Sequence, residues 1–136
     1  MIEEELYKKI VESVPIVCVD VIIKVGNDYL LVKRTNEPLK DKFWLVGGRA
    51  YKGERTVETA RRKVREEIGL DIHRLEFAGV YEDSYEKSAW GVPTSSVSIV
   101  YRGFIDNLND IKFDNTISEF RLTDSLPFRF KDNFKR

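Results

Sequence analysis

Glu66 and Glu67 stand side by side near the end of a segment, Glu54 to Ile68, whose apolar residues recur at helical spacing. Val57, Ala60, Val64 and Ile68 form its stripe. Projection at about 100° per residue puts Glu67 roughly 60° from the stripe's centre, Lys63 about 100° and Glu66 about 160° away on the same side. Two adjacent carboxylates bordering a buried face, with Gly47-Gly48 upstream, suit a hard divalent cation: Mg²⁺ prefers oxygen ligands, keeps several waters and is often shared with substrate phosphates. An isolated Glu-Glu pair on a helix ordinarily marks a solvated face, so this one draws its meaning from its surroundings. On the opposite flank Glu54, Glu58 and Arg62 follow at intervals of four, which predicts an Arg62–Glu58 pair bracing the helix.

The elements that must position these groups are legible from pattern. Residues 3–12 read as a helix, with Glu4, Leu6, Ile10 and Val11 at helical spacing and Pro15 ending it. Ile16 to Val25 and Tyr29 to Arg34 read as two strands joined by the turn residues Gly26-Asn27-Asp28. Phe43 to Val46 is a third short strand ending at Gly47-Gly48, a pair that permits unusual backbone angles or close approach of another group, and a loop comes after it. The carboxylate-bearing helix follows, with Gly69 where a C-cap is expected. Strand-like pieces come next at Leu75 to Tyr81, Val97 to Phe104 and Glu119 to Leu122, with a loop over Glu82 to Thr94. Ser125 to Phe130 reads as a short final helix or an irregular tail. The pattern implies an α+β layer structure, a mixed sheet covered by helices.

Composition bounds the function. The chain has 136 residues, 42% hydrophobic and 34% charged, enough for one domain spanning 1–136. No internal repeat or linker-like tract divides it. With 23 basic and 23 acidic residues its formal net charge is zero, which argues against a nucleic-acid polymer as partner. One cysteine, Cys18, and one histidine, His73, exclude an internal disulfide and a Cys/His zinc framework. The longest apolar stretch, Val14 to Ile23, is too short and too interrupted to span a membrane, and the acidic N-terminus lacks the features of a secretory signal. A cytoplasmic chain is the expectation.

Gly48, Glu54, Arg62, Val64, Glu66, Glu67, Gly69 and Leu70 occur in an order and spacing that resembles the Nudix box: Gly, five residues, Glu, seven residues, Arg-Glu, aliphatic, any, Glu-Glu, any, Gly, aliphatic. Only Lys63 departs from it, where the family usually has Glu. The resemblance covers residues 48–70. It implies the Nudix fold, a mixed-sheet α/β/α sandwich, and Mg²⁺- or Mn²⁺-dependent hydrolysis of a nucleoside diphosphate linked to another group. It further implies Glu67 as principal metal ligand, Glu66 as second ligand or as base acting through water, and the Gly47 carbonyl as a metal contact. Glu54 and Arg62 would be structural. Lys63 removes one carboxylate, and four residues before Glu67 its ammonium is placed to neutralise that carboxylate.

Across Ser13 to Phe104, and more loosely to Leu122, the chain is most similar to the GDP-mannose mannosyl hydrolase branch of that family. The likeness rests on Val14-Pro15 with Val19-Asp20, on Lys33-Arg34-Thr35-Asn36 with Pro38, and on Phe43-Trp44 through Gly47-Gly48-Arg49. It places Asp20, Arg34 and Arg49 at active-site positions, where guanidinium groups bind phosphate oxygens and stabilise a departing diphosphate. Tyr7 falls where an aromatic packs on the nucleobase, with plain helix packing as the competing reading. Trp44 reads as core. A homodimer is implied by the resemblance alone.

The branch pattern puts a metal-contacting amide and then a basic histidine in the loop before the last strand, where this chain has Thr116 and Ile117. Isoleucine cannot move a proton, and His73 reads as a surface residue. Water could attack the sugar carbon, with Asp114 or Glu119 as the nearest candidate base, or attack phosphorus with Glu66 as base; overall similarity tilts the expectation toward carbon and a GDP-sugar. The alternatives are a pyrophosphatase acting on ADP-ribose or a nucleoside triphosphate, and a nucleotide-binding module without turnover.

Overall fold

The computed structural model describes residues 2–127. Its elements are α1 (Glu4–Ser13), β1 (Ile16–Val25), β2 (Asp28–Arg34), β3 (Phe43–Trp44), β4 (Val46–Arg49), α2 (Thr56–Ile68), β5 (Leu75–Tyr85), β6 (Thr94–Phe104) and β7 (Ile117–Thr123). The seven strands form one mixed sheet in the order β3-β2-β1-β6-β5, with β4 also paired to β1 and β7 to β2. The β1–β6 pairing is parallel and the others antiparallel. This is the mixed-sheet α+β architecture expected from pattern. Among the described residues no helix is long and apolar enough to cross a membrane.

Strand periodicity sorts β1 onto two faces. Val19, Val21 and Ile23 pack with Ala60, Val64 and Ile68 of α2, while Ile22 joins Leu31, Leu45, Val100 and Leu126 on the other side. The apolar stripe of α2 therefore seats the helix on one face of the sheet. Gly69, at φ 70°, caps the helix in the left-handed conformation its position predicts.

Several boundaries differ from expectation. Gly47 to Arg49 is not a loop but the rest of β4, in register Asp20↔Gly47, Val19↔Gly48 and Cys18↔Arg49 with β1. Pairing to a central strand holds the glycines extended where local propensity favours a turn. The expected loop over Glu82 to Thr94 shrinks because β5 and β6 pair as far as Tyr85↔Thr94, extending past the polar residues Glu82, Asp83 and Ser84. Helix α2 begins at Thr56, leaving Glu54 outside it. Of the expected segment Ser125 to Phe130, Ser125 is a bend and Leu126 packs in the second core cluster, and residues 128–130 lie outside the described residues.

Candidate active site

Glu67 projects from α2 toward β4 and is 2% exposed. The Gly47 amide donates to its Oε1 at 3.1 Å, the Thr116 hydroxyl lies 3.3 Å from its Oε2, and the Lys63 ammonium lies 3.7 Å from the same oxygen. Burial pushes the Glu67 carboxyl above the ordinary carboxylate range, against the opposing influence of Lys63, the Gly47 amide and Arg34. Glu66 stands beside it with 41% of its side chain exposed, 3.3 Å from the Lys63 ammonium and 3.1 Å from Arg62. The helical projection thus placed both carboxylates correctly, one inside and one at the rim.

Arg62 organises the base of the site, though not by the pairing expected. It bonds Glu54 through Nε at 2.8 Å and Nη2 at 3.0 Å, donates to the Arg49 carbonyl at 2.8 Å, and stacks on Tyr51 with 3.7 Å to the ring centroid. Glu58 instead pairs with Arg61 at 2.7 Å. The difference follows from Glu54 lying before the helix, where the chain folds back over Arg62 and offers a fork-to-fork carboxylate that Glu58, further round the helix, cannot match. Arg62 holds the Glu54 carboxyl down to about 2, with bonds from Thr59 and the Tyr51 amide adding to the effect.

Asp20, Arg34, Gly47, Arg49 and Tyr7, five positions singled out from sequence, line one cavity of about 270 Å³. Gly47 and Gly48 stand between that cavity and the carboxylates of α2, and at Gly47 the lack of a Cβ is required. A Cβ on Gly47 would run into Asp20 Oδ1 and the Val19 carbonyl, and one on Gly48 into the stem of Lys63. Asp20 accepts a hydrogen bond from the Ser98 hydroxyl across the parallel strand pair. Arg34 is fixed by its Nε–H donating to the Pro38 carbonyl at 2.7 Å. Arg49 lies over Tyr7 and Tyr51, 4.8 Å from each centroid, and Tyr7 meets Trp90 edge-on at 4.8 Å. Trp44 serves both readings, packed on the second core cluster while also lining the cavity. Trp90 was not singled out from sequence; its signal was an aromatic in the Gly91/Pro93 loop, whose facing partner only the fold supplies.

The loop before β7 closes the site from the side. Thr35 bonds the backbone of Asn115 and Thr116, tying the Arg34 loop to this one. The Thr116 hydroxyl is 2.6 Å from Asp114 Oδ1, which also accepts the Thr116 amide at 2.9 Å. Asp114 is therefore occupied in a local turn, and Glu119 faces Lys33 at 3.8 Å. Ile117 is 4% exposed and sits in the main core, and His73 is exposed, its carbonyl accepting from Arg61. Neither expected carboxylate nor the histidine lines the cavity, and Glu66 and Glu67 also stand outside its lining, across the Gly47–Gly48 strand.

The donor set fits a hard cation. Glu66 and Glu67 offer carboxylate oxygens and Thr116 a hydroxyl. The contact from Gly47 is its amide, so the carbonyl role rests on the resemblance. Among the described residues no three His, Cys, Asp or Glu side chains converge as a ready-made metal cluster. A cation here would draw the rest of its shell from backbone, water and ligand, the habit of Mg²⁺ at phosphate sites.

Known proteins resemble the chain in sequence and in fold. The NUDIX domain model matches residues 14–128. The low-salt glycan biosynthesis protein Agl8 of Haloferax volcanii is 32% identical over 87 residues, 64% of this chain and 56% of that one. The ADP-ribose pyrophosphatase of Methanocaldococcus jannaschii is 43% identical over 67 residues, 49% of this chain and 40% of that one. The chain thus spans about half the length of the curated relatives it matches. A MutT protein structure from Methanosarcina mazei superposes with a TM-score of 0.73 at 23% identity, covering 90% of this chain and 92% of that one.

Proposed function

The chain belongs to the NUDIX family, and on that premise we propose that it is a divalent-cation-dependent hydrolase that opens the diphosphate bridge of a nucleoside diphosphate linked to a sugar. The observation that carries this reading is the juxtaposition of a buried carboxylate, Glu67, and its exposed neighbour Glu66 with an arginine-lined cavity across the Gly47–Gly48 strand.

When bound, a Mg²⁺ or Mn²⁺ held by Glu67, with Glu66 at its edge and the Gly47 carbonyl, would neutralise charge on the diphosphate oxygens. The other roles fall to the chain itself. Arg34 and Arg49 line the cavity and bind the phosphate oxygens, stabilising the charge that builds as the bridge opens. Tyr7 and Trp90 offer aromatic surface to the nucleobase. Glu66, held by Arg62, takes a proton from water as the water oxygen bonds to one phosphorus; the P–O bond to the bridging oxygen breaks, leaving a nucleoside monophosphate and a sugar phosphate.

Sequence similarity tilts toward attack at the sugar carbon, but that route needs a base on the sugar side, and Ile117 in the core favours phosphorus. A second reading, release of free sugar from a GDP-sugar such as GDP-mannose, is favoured by Asp20 and Asp83 lining the cavity. Hydrolysis in ¹⁸O-labelled water across a panel of ADP-ribose, GDP-sugars and nucleoside triphosphates, with Mg²⁺, separates the readings. Label in a phosphate product is the expected result, and label in the free sugar would overturn it. Joint binding of metal and nucleotide with no product from any panel member would identify a binding module instead.

A further inference from the structure

We propose that Lys63 is the resident counter-ion of the Glu66–Glu67 pair and that a divalent cation enters this site by exchange with its ammonium. The inference rests on the reading that these two carboxylates hold the cation.

Lys63 Nζ lies 3.3 Å from Glu66 Oε1 and 3.7 Å from Glu67 Oε2, so a single positive charge bridges the two groups. The absence of a side chain on Gly48 makes room for this placement. The side chain is 16% exposed, and its stem lies over Gly48, where a Cβ would stand 2.5 Å from Lys63 Cε. Lys63 is also the one position at which the box departs, so a residue that would otherwise add a third negative charge supplies the compensating positive one. A buried anion such as Glu67 needs a nearby opposite charge, and in this fold Lys63 provides it. A dication and an ammonium cannot share two carboxylates without strong mutual repulsion, so metal entry requires Lys63 to swing away. The displaced ammonium has a destination, because Gly48, against which its stem packs, also lines the arginine-bearing cavity where phosphate oxygens would lie.

The test is Mn²⁺ binding read by electron paramagnetic resonance, with and without saturating GDP, on the wild type, Lys63→Met and Lys63→Arg. Methionine keeps a stem of similar length over Gly48 and removes only the charge. The expected result is Mn²⁺ binding about tenfold or more tighter in Lys63→Met than in wild type without nucleotide, with Lys63→Arg close to wild type. Mn²⁺ should also raise the melting temperature of Lys63→Met more than that of wild type, since Glu67, left with only the Gly47 amide and Arg34 to offset its charge, then gains most from the metal. Lys63→Gln serves as a second charge-removing variant should Lys63→Met fail to fold. Equal Mn²⁺ affinity in wild type and the neutral variants, with binding intact, would overturn the exchange while leaving the proposed function standing. Absence of Mn²⁺ binding to every variant even with GDP would overturn both.

Discussion

Replacing Arg62 with alanine removes several contacts at once, and its cost can be worked from the geometry. Glu54 loses two bonds of 2.8 and 3.0 Å, the Arg49 carbonyl loses a donor at 2.8 Å, and Tyr51 loses its stacking partner. Holding the Glu54 carboxyl at about 2 instead of 4.5 corresponds to an upper bound of about 3 kcal/mol, which the pair's partial exposure reduces to about 2 kcal/mol. Arg62→Ala should therefore lower stability by about 2 kcal/mol, visible in urea titration as a lower midpoint at unchanged slope. A double-mutant cycle with Glu54→Gln should recover most of that as coupling. Because the folded-state value of Glu54 is depressed, its contribution is fully present above about 4.5 and is lost as pH falls toward about 2. Arg62→Ala should flatten that acid limb of the stability profile. A loss below about 0.5 kcal/mol, or a cycle with no coupling, would refute the bracing role.

Three further outcomes follow from the same contacts. Glu67→Gln should lower turnover on the order of a hundredfold or more with an unchanged circular dichroism spectrum, because the side chain keeps its shape but loses the charge that grips the cation. Gly47→Ala should cost about 1–3 kcal/mol in a thermal melt, since its Cβ meets Asp20 and the Val19 carbonyl within a strand pair that cannot part. Tyr7→Leu should raise KM more than it lowers kcat in steady-state assays, because the ring packs against Arg49 and Trp90 in the cavity and lies apart from the carboxylate pair.

The residues that carry local signals were the legible ones. The α2 stripe set both the helix face buried on β1 and the positions of Glu66 and Glu67, because a 3.6-residue period fixes all three together. Five cavity residues scattered from Tyr7 to Arg49 came from a motif resemblance, since no local rule relates them; the fold gathers them through the β1–β4 register and the packing of α1. Arg62 shows where reasoning by spacing failed. Intervals of four hold only inside a helix, and Glu54 turned out to precede it. Gly47-Gly48 lies in a strand rather than a loop because tertiary pairing overrode the turn preference of glycine, while the close approach that the pair permits is present where Asp20 and the Val19 carbonyl crowd Gly47. The Thr116 contact to Glu67 spans 49 residues, so no local rule relates the two, and Thr116 stood out only through its alignment with a metal-contacting amide.

Calorimetric titration of Mg²⁺ into wild type and Glu67→Gln, both saturated with a nucleoside diphosphate, most directly addresses whether the two adjacent carboxylates and the cavity form one working site. Uptake of the cation by wild type and its loss in Glu67→Gln is the expected result. Identical Mg²⁺ binding by the two proteins, or none by either, would contradict it.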